Sequence, residues 1–267
     1  MNKKLSYLTV GNYYLNIKIN GESLIQKIMT WFPLLNDPIG EYLGKIEFEL
    51  TNENYSDYPL EPNVTWEENQ YHFKGKDCKG IITEDDSAIL KVNSPMTKQY
   101  AELFFRVVTA IRIFSKGGLL VHAAGIEKND KGYLFTGHSG AGKTTVCKVS
   151  KDCTILNDDM VILSFKNDTW FVSSTPFTND TQVQPNNGTV PLHIILHLIQ
   201  AEYHLLKDVT KSQIIADLMT HVPVISLAPN NIYFLLNRCN QIVANVQGYD
   251  LYFLPNAGFW DLLNNSS

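Results

Sequence analysis

The eight residues from Gly137 to Thr144 have the types and spacing that best fit a chemical task in this chain. They match the phosphate-binding pattern G-x-x-x-x-G-K-[ST] without a mismatch. Glycines let such a loop turn sharply, so that successive backbone N–H groups face phosphate oxygens. We therefore predict that Lys143 contacts the β and γ phosphates of ATP and that Thr144 ligates Mg2+. The predicted nucleotide-binding residues are Gly137, His138, Ser139, Gly140, Ala141, Gly142, Lys143, Thr144 and Thr145.

An adjacent pair of carboxylates, Asp158 and Asp159, is the second chemical feature. It follows a short apolar run, 154–156, which we predict to be a strand after the helix that the loop opens. Two adjacent carboxylates raise each other's pKa, and a bound cation removes that cost. One carboxylate could then take the metal while the other accepts a proton from an attacking hydroxyl. The alternative is that one or both cap the turn into the next strand.

Three histidines were weighed as further site residues. His122 lies in an apolar run just before the loop, and from its surroundings alone a core histidine is the commoner outcome. His193 and His197 are four residues apart in a predicted strand, and we discount them as a metal pair.

Composition narrows the class of protein. The chain has 267 residues, of which 44% are hydrophobic and 18% charged, so it is expected to fold. Its net charge of −5 argues against a nucleic-acid partner. No apolar run is long enough to span a membrane, and the first residues do not resemble a signal peptide. The four cysteines show no C-x-x-C spacing. We predict a cytoplasmic protein with free thiols and no membrane partner.

The elements that must position these residues fall into two predicted domains, 1–94 and 95–267. Alternating apolar residues in the first predict antiparallel strands, with a short helix from Ser23 to Trp31. Ser94-Pro95 predicts the start of a long helix, on which Arg112 lies off the apolar stripe and is expected at the surface.

In the second predicted domain, 119–126 and 133–135 predict a hairpin that leads directly into the loop. This differs from the usual arrangement, in which the loop follows the first strand of a parallel βαβ unit. A second hairpin is predicted from 161–165 and 170–172, followed by a long loop. Further on, 192–199 and 251–254 predict strands, and Thr210 to Gln213 predicts a capping box that opens a helix. A last helix is predicted over 232–246.

The order of several motifs resembles the HPr kinase/phosphorylase family, whose catalytic core is shared with phosphoenolpyruvate carboxykinase. The motifs are Val121-His122-Ala123-Ala124-Gly125, the hairpin-fed loop, Leu156-Asn157-Asp158-Asp159 and Thr175-Pro176-Phe177. The resemblance implies an α/β fold in which an N-terminal antiparallel β region packs on a P-loop-containing, phosphoenolpyruvate carboxykinase-like core. It implies that Lys143 binds phosphate, Asp158 is the general base and Asp159 is the metal-side carboxylate. It also implies that His122 orients the acidic pair.

The expected function is ATP- and Mg2+-dependent transfer of the γ-phosphoryl group to a hydroxyl, with serine of a peptide or small protein as acceptor. Thr145 stands where the family has an acidic residue, and no counterpart of its basic substrate-gripping loop is found, so HPr as acceptor and the phosphorylase reaction stay open. A small-molecule kinase, a simple NTPase and a nucleotide-binding regulatory module without turnover are the alternatives. The oligomeric state, including a homo-oligomer, also stays open.

Overall fold

The computed structural model describes residues 3–83, 85–93, 97–177, 183 and 185–265. By its internal contacts the chain divides into two compact units, Met1–Lys116 with Val224–Pro229, and Gly117–Pro223 with Asn230–Ser267. The division predicted at residue 94 assigned the long helix after it to the second part, whereas the contacts group that helix with the first unit. In the described part of the chain, no helix is both long enough and apolar enough to cross a membrane. All four cysteines are free thiols, as predicted.

A seven-stranded sheet forms the first unit, in the order β1-β2-β3-β7-β6-β5-β4. Its strands are β1 (Lys3–Val10), β2 (Tyr13–Asn20), β3 (Glu41–Leu50), β4 (Asn63–Glu67), β5 (Gln70–Gly75), β6 (Cys78–Ile82) and β7 (Ser87–Val92). Alternation explains the strands, since Leu15, Ile17 and Ile19 of β2 are buried while the residues between them are partly exposed.

The prediction of a wholly antiparallel N-terminal region is wrong. Strand β2 pairs with β3, and β3 with β7, in parallel, while the other pairs are antiparallel. Helix α1 (Glu22–Trp31) lies between β2 and β3 and provides the crossover that parallel neighbours need. Period-two alternation reports a half-buried strand and is the same for either direction of pairing, so the sequence pattern could not distinguish the two.

Helix α2 (Lys98–Ser115) supplies much of the first unit's core. Phe104 packs edge-to-face on Phe48 and Phe73, with ring centroids 6.2 and 5.3 Å apart. The predicted start at Ser94-Pro95 lies outside the described residues; the described helix is capped by Thr97, whose side chain accepts a hydrogen bond from the Tyr100 N–H.

Arg112 of α2 was expected at the surface, and this prediction is wrong, because the side chain is only 2% exposed. Its guanidinium donates to the carbonyl oxygens of Thr83 and Ser87, at 2.8 and 2.7 Å. Burial lowers the pKa of Arg112, and the nearby carboxylates of Asp85 and Asp86 oppose that effect. The guanidinium therefore fastens the turn between β6 and β7, a role set by a long-range contact rather than by its position on the helix.

Nine strands form the sheet of the second unit. They are β8 (Leu119–His122), β9 (Ala124–Lys128), β10 (Lys131–Thr136), β11 (Thr154–Asn157), β12 (Met160–Lys166), β13 (Thr169–Ser173), β14 (Thr189–Gln200), β15 (Leu205–Asp208) and β16 (Gln247–Phe253). The helices are α3 (Lys143–Val149), α4 (Lys211–Thr220), α5 (Asn231–Asn245) and α6 (Phe259–Asn265).

Strands β9 and β10 form the predicted hairpin, with Asn129 and Asp130 at positive φ in its turn. The predicted second hairpin is β12 and β13. The apolar run 119–126 is divided at Ala123, because β8 pairs with β12 whereas β9 pairs with β10 and β11. Strand β10 runs parallel to β14, which in turn runs parallel to β16. His122 therefore ends one strand beside the point where the chain changes partners.

Candidate active site

The phosphate loop lies between β10 and α3, the strand-loop-helix context that its motif requires. Gly137 and Gly142 have φ values of 144° and 114°, which side chains with a Cβ rarely adopt. A Cβ on Gly142 would also lie 2.5 Å from the Phe253 ring of β16. The loop backbone therefore depends on glycine for both conformation and space.

Lys143 begins α3 and is largely buried. Its ammonium donates to the carbonyl oxygens of Gly137 and His138, at 2.7 and 3.3 Å, so it spans the loop from inside. Burial lowers the pKa of Lys143, and the negative charges of Asp159, Asp217 and Asp158 oppose that effect, in that order. The loop thus holds a cation among three carboxylates.

Each aspartate of the acidic pair contacts a different predicted site residue. The Thr144 hydroxyl donates to Asp158 Oδ2 at 2.8 Å. His122 Nε2 lies 3.1 Å from Asp159 Oδ1. Both aspartates are 3% exposed, in contrast to a pair that merely caps a solvated turn. The four residues that the sequence selected from three separate segments therefore meet at one place.

Asn157 fixes the turn that carries the pair, and sequence reasoning did not assign it a role. Its Oδ1 accepts the backbone N–H groups of Asp159 and Met160, at 2.7 and 2.9 Å. Its Nδ2 donates to the carbonyl oxygens of Thr175 and Phe177, at 3.0 and 2.8 Å. The Leu-Asn-Asp-Asp and Thr-Pro-Phe motifs were noted separately, and this amide is what joins them.

A cleft of about 220 Å3 opens beside the loop. It is lined by His122, Ser139, Gly140, Gly142, Lys143, Thr144, Thr145 and Asp158. Other predicted residues stand differently: the His138 ring is exposed and Ala141 is buried. Asp159 is not part of the lining and reaches the cleft through His122. The assignment of Asp158 as base and Asp159 as metal ligand stays a prediction.

Helix α4 supplies two site residues that sequence reasoning missed, Asp217 and His221. The Gly137 N–H donates to His221 Nε2 at 3.2 Å, and Thr136 Oγ1 donates to Asp217 Oδ2 at 2.5 Å. His197, discounted as a metal ligand, bonds through Nδ1 to Asp217 Oδ1 at 2.8 Å. These residues are 81 and 84 positions from their loop partners, so no local pattern in the sequence signals them.

The residues suit Mg2+ held jointly with phosphate. Among the described residues, no group of three or more His, Cys, Asp and Glu side chains is arranged to hold a metal by itself. Mg2+ characteristically binds one or two carboxylates together with substrate phosphates and water. A buried carboxylate on the hydroxyl of Thr144 fits that mode.

Comparison with known proteins gave one distant likeness. No protein-family model and no curated protein matches the chain. Among solved structures, the chain is distantly similar to the structure of the Hpr(Ser) kinase/phosphatase from Coxiella burnetii. The two are 13% identical over 55% of this chain and 91% of the other, with a TM-score of 0.31. Neither value is high enough to carry a functional argument.

Proposed function

We propose that this chain is a kinase that uses ATP and Mg2+ to phosphorylate a hydroxyl group, with serine of a peptide or small protein as acceptor. The observation that carries the proposal is the hydrogen bond from Thr144 to Asp158. It joins the residue that ligates Mg2+ in phosphate loops to a buried carboxylate that also lines the cleft. Nucleotide, metal and proton acceptor would then share one site.

The phosphate loop would bind the triphosphate. Backbone N–H groups of the loop and the Lys143 ammonium are the donors available in the cleft wall for phosphate oxygens. Mg2+, held by Thr144 and an aspartate, would neutralise charge that develops on the β and γ phosphate oxygens. Most of the rate enhancement would come from this positioning and charge neutralisation.

Asp158 would accept the proton of the attacking hydroxyl. The acceptor oxygen forms a bond to the γ phosphorus, the bond from that phosphorus to the β–γ bridging oxygen breaks, and ADP leaves with the bridging oxygen. The proton lost by the hydroxyl passes to the Asp158 carboxylate, which faces the cleft. Asp159 would act through His122, whose ring it holds at 3.1 Å and which forms part of the cleft wall.

The test follows the γ-phosphoryl group of labelled ATP with Mg2+, with and without extract of the source cells. The parent is compared with Asp158→Asn and with Asp152→Asn, a control at an exposed position of the same unit. We expect an acid-stable label on a peptide or protein serine with the parent and the control. We expect none with Asp158→Asn, although that variant still binds ATP.

Two results would overturn the proposal. Label found only as free phosphate would indicate an NTPase in which Asp158 activates water. Label that stays in ATP, with ATP still bound, would indicate a regulatory module without turnover. Transfer by Asp158→Asn at the parental rate would refute the assignment of the base alone.

A further inference from the structure

The last turn of α4 holds the place where β10 becomes the phosphate loop. Asp217 accepts the side-chain hydroxyl of Thr136, the last residue of β10. His221, which caps the helix, accepts the backbone N–H of Gly137, the first residue of the loop motif. Two side chains four residues apart therefore grip two consecutive residues, as i and i+4 positions on one helix face allow.

The same residue, His221, also fixes His122. The backbone N–H of His122 donates to the backbone oxygen of His221 at 2.8 Å, and the two rings lie 6.4 Å apart between centroids. One face of the cleft ends in His122 and its Asp159 partner, and the other begins at Gly137. His221 thus sets the distance between the two.

The hydrogen bonds define the protonation state that this contact requires. A backbone N–H can only donate, so His221 Nε2, which faces Gly137, must carry no proton. The ring proton is then on Nδ1, where it donates to the backbone oxygen of Asp217 at 2.7 Å. Protonation of Nε2 would place two N–H groups against each other and break the contact with the loop.

Other charged groups surround this ring. Asp217 lies on the same helix, with its Oδ1 3.5 Å from His221 Nδ1, and Asp217 also binds His197 of β14. His122 ends β8, and its partner Asp159 follows β11. Lys143 of α3 feels the charge of Asp217. A pH test must therefore separate His221 from His122 and His197.

We propose that His221, oriented by Asp217, is a positioning residue that holds the phosphate loop in its binding conformation by accepting the Gly137 N–H from a neutral ring. The proposal rests on the proposed function, because it supposes that ATP binds in this loop. His221 itself is placed behind the loop and need not touch the nucleotide. Its effect should therefore fall on ATP affinity.

Three substitutions separate positioning from general structural support. His221→Gln keeps an acceptor, Oε1, at about the reach of Nε2, whereas His221→Asn ends near the place of Nδ1 and His221→Ala has no acceptor. We expect ATP affinity by calorimetry to fall about tenfold in the Asn and Ala variants, the equivalent of one net hydrogen bond. The Gln variant should stay within about threefold of the parent. His204→Gln, a histidine of the same unit that bonds Asn256, is the matched control.

The pH profile gives a readout that a purely structural role would not move. As the pH falls from about 7.5 to about 5.5, the range in which an ordinary histidine gains its proton, the parent should lose more ATP affinity than His221→Gln. Subtracting the two profiles removes the contributions of ATP, His122 and His197, which both proteins share. Equal profiles for the parent and the Gln variant, or equal losses in all three variants, would overturn the proposal.

A nuclear magnetic resonance measurement without nucleotide keeps this test independent of the proposed function. Long-range proton–nitrogen spectra report which ring nitrogen of His221 carries the proton, and we expect Nδ1. The Gly137 amide signal should shift in His221→Ala and stay near its parental position in His221→Gln. A proton on Nε2, or an unmoved Gly137 signal, would overturn the proposal whether or not ATP binds. Unchanged ATP affinity in Lys143→Ala would refute only the proposed function.

Discussion

Replacing Asn157 by alanine tests whether the acidic turn is held by one buried amide. The side chain is 1% exposed and makes hydrogen bonds in two directions. It accepts from the N–H groups of Asp159 and Met160 and donates to the carbonyl oxygens of Thr175 and Phe177. Alanine removes both sets and leaves four backbone groups in a buried place without those partners.

The magnitude follows from these contacts. A net contribution of about 1 kcal/mol for each of four hydrogen bonds gives about 4 kcal/mol for local opening of the turn. Because 1.4 kcal/mol corresponds to a factor of ten, the open form should become about a thousand times more populated. Water that enters the space would replace some of the bonds, so this figure is an upper value. A displacement of Asp158 by about 1 Å should slow phosphoryl transfer by about a hundredfold.

Amide hydrogen exchange is the assay, because it measures the two N–H groups that lose their acceptor. The amides of Asp159 and Met160 should exchange at least about tenfold faster in Asn157→Ala than in the parent, even where water replaces most of the lost contacts. Asn240→Ala serves as the control, since this exposed side chain makes one bond within α5. Unchanged exchange at Asp159 and Met160 would refute the reasoning, whatever happened to activity.

Three further changes test the binding residues and the pH response. Lys143→Ala should weaken ATP binding about a hundredfold by calorimetry, since two charge-assisted hydrogen bonds to phosphate contribute about 1.5 kcal/mol or more each; unchanged affinity would exclude the loop as the nucleotide site. Thr144→Ser should keep the Mg2+ requirement of transfer while Thr144→Val raises the Mg2+ concentration needed, and equal titrations of the two variants would contradict the ligand assignment. The hydrogen bond to Asp217 raises the pKa of His197 above its ordinary 6.5, with burial opposing it. A raised pKa stabilises the folded state fully below the unfolded pKa, so the stability that the parent gains over His197→Gln in urea unfolding should shrink as the pH rises from 6.5 through the raised value. A gain that grew with pH would reverse the sign of this argument.

The parts of the site that the sequence predicted are those encoded by short spacing. Gly137 to Thr144 is a contiguous pattern, and Asp158 and Asp159 are adjacent, so each could be recognised without knowledge of the fold. The hairpins were predicted for the same reason, because turn residues such as Asn129 and Asp130 lie between two apolar runs. The contact between Thr144 and Asp158 then follows from the strand that the acidic pair ends.

What the sequence could not show depends on contacts across long separations. Arg112 is buried because a turn some 25 to 29 residues earlier folds over it and offers carbonyl oxygens. The parallel pairing of β3 depends on which strand lies next to it, and alternation carries no such information. Asp217 and His221 lie on a helix that the sequence did identify, through its capping box. Their role became visible only when that helix packed beside β10.

The two aspartates also show why spacing alone left their roles unresolved. As neighbours in the chain they are equivalent in a sequence argument, and the resemblance made Asp158 the base and Asp159 the metal-side carboxylate. In the fold they differ, because Asp158 bonds Thr144 and lines the cleft whereas Asp159 bonds His122. A carboxylate on the hydroxyl of the expected Mg2+ ligand cannot be far from the metal, so Asp158 would influence both metal and proton. Asp159→Asn should then act mainly through His122, and a loss of Mg2+ dependence in Asp159→Asn but not in Asp158→Asn would restore the roles that the resemblance implies.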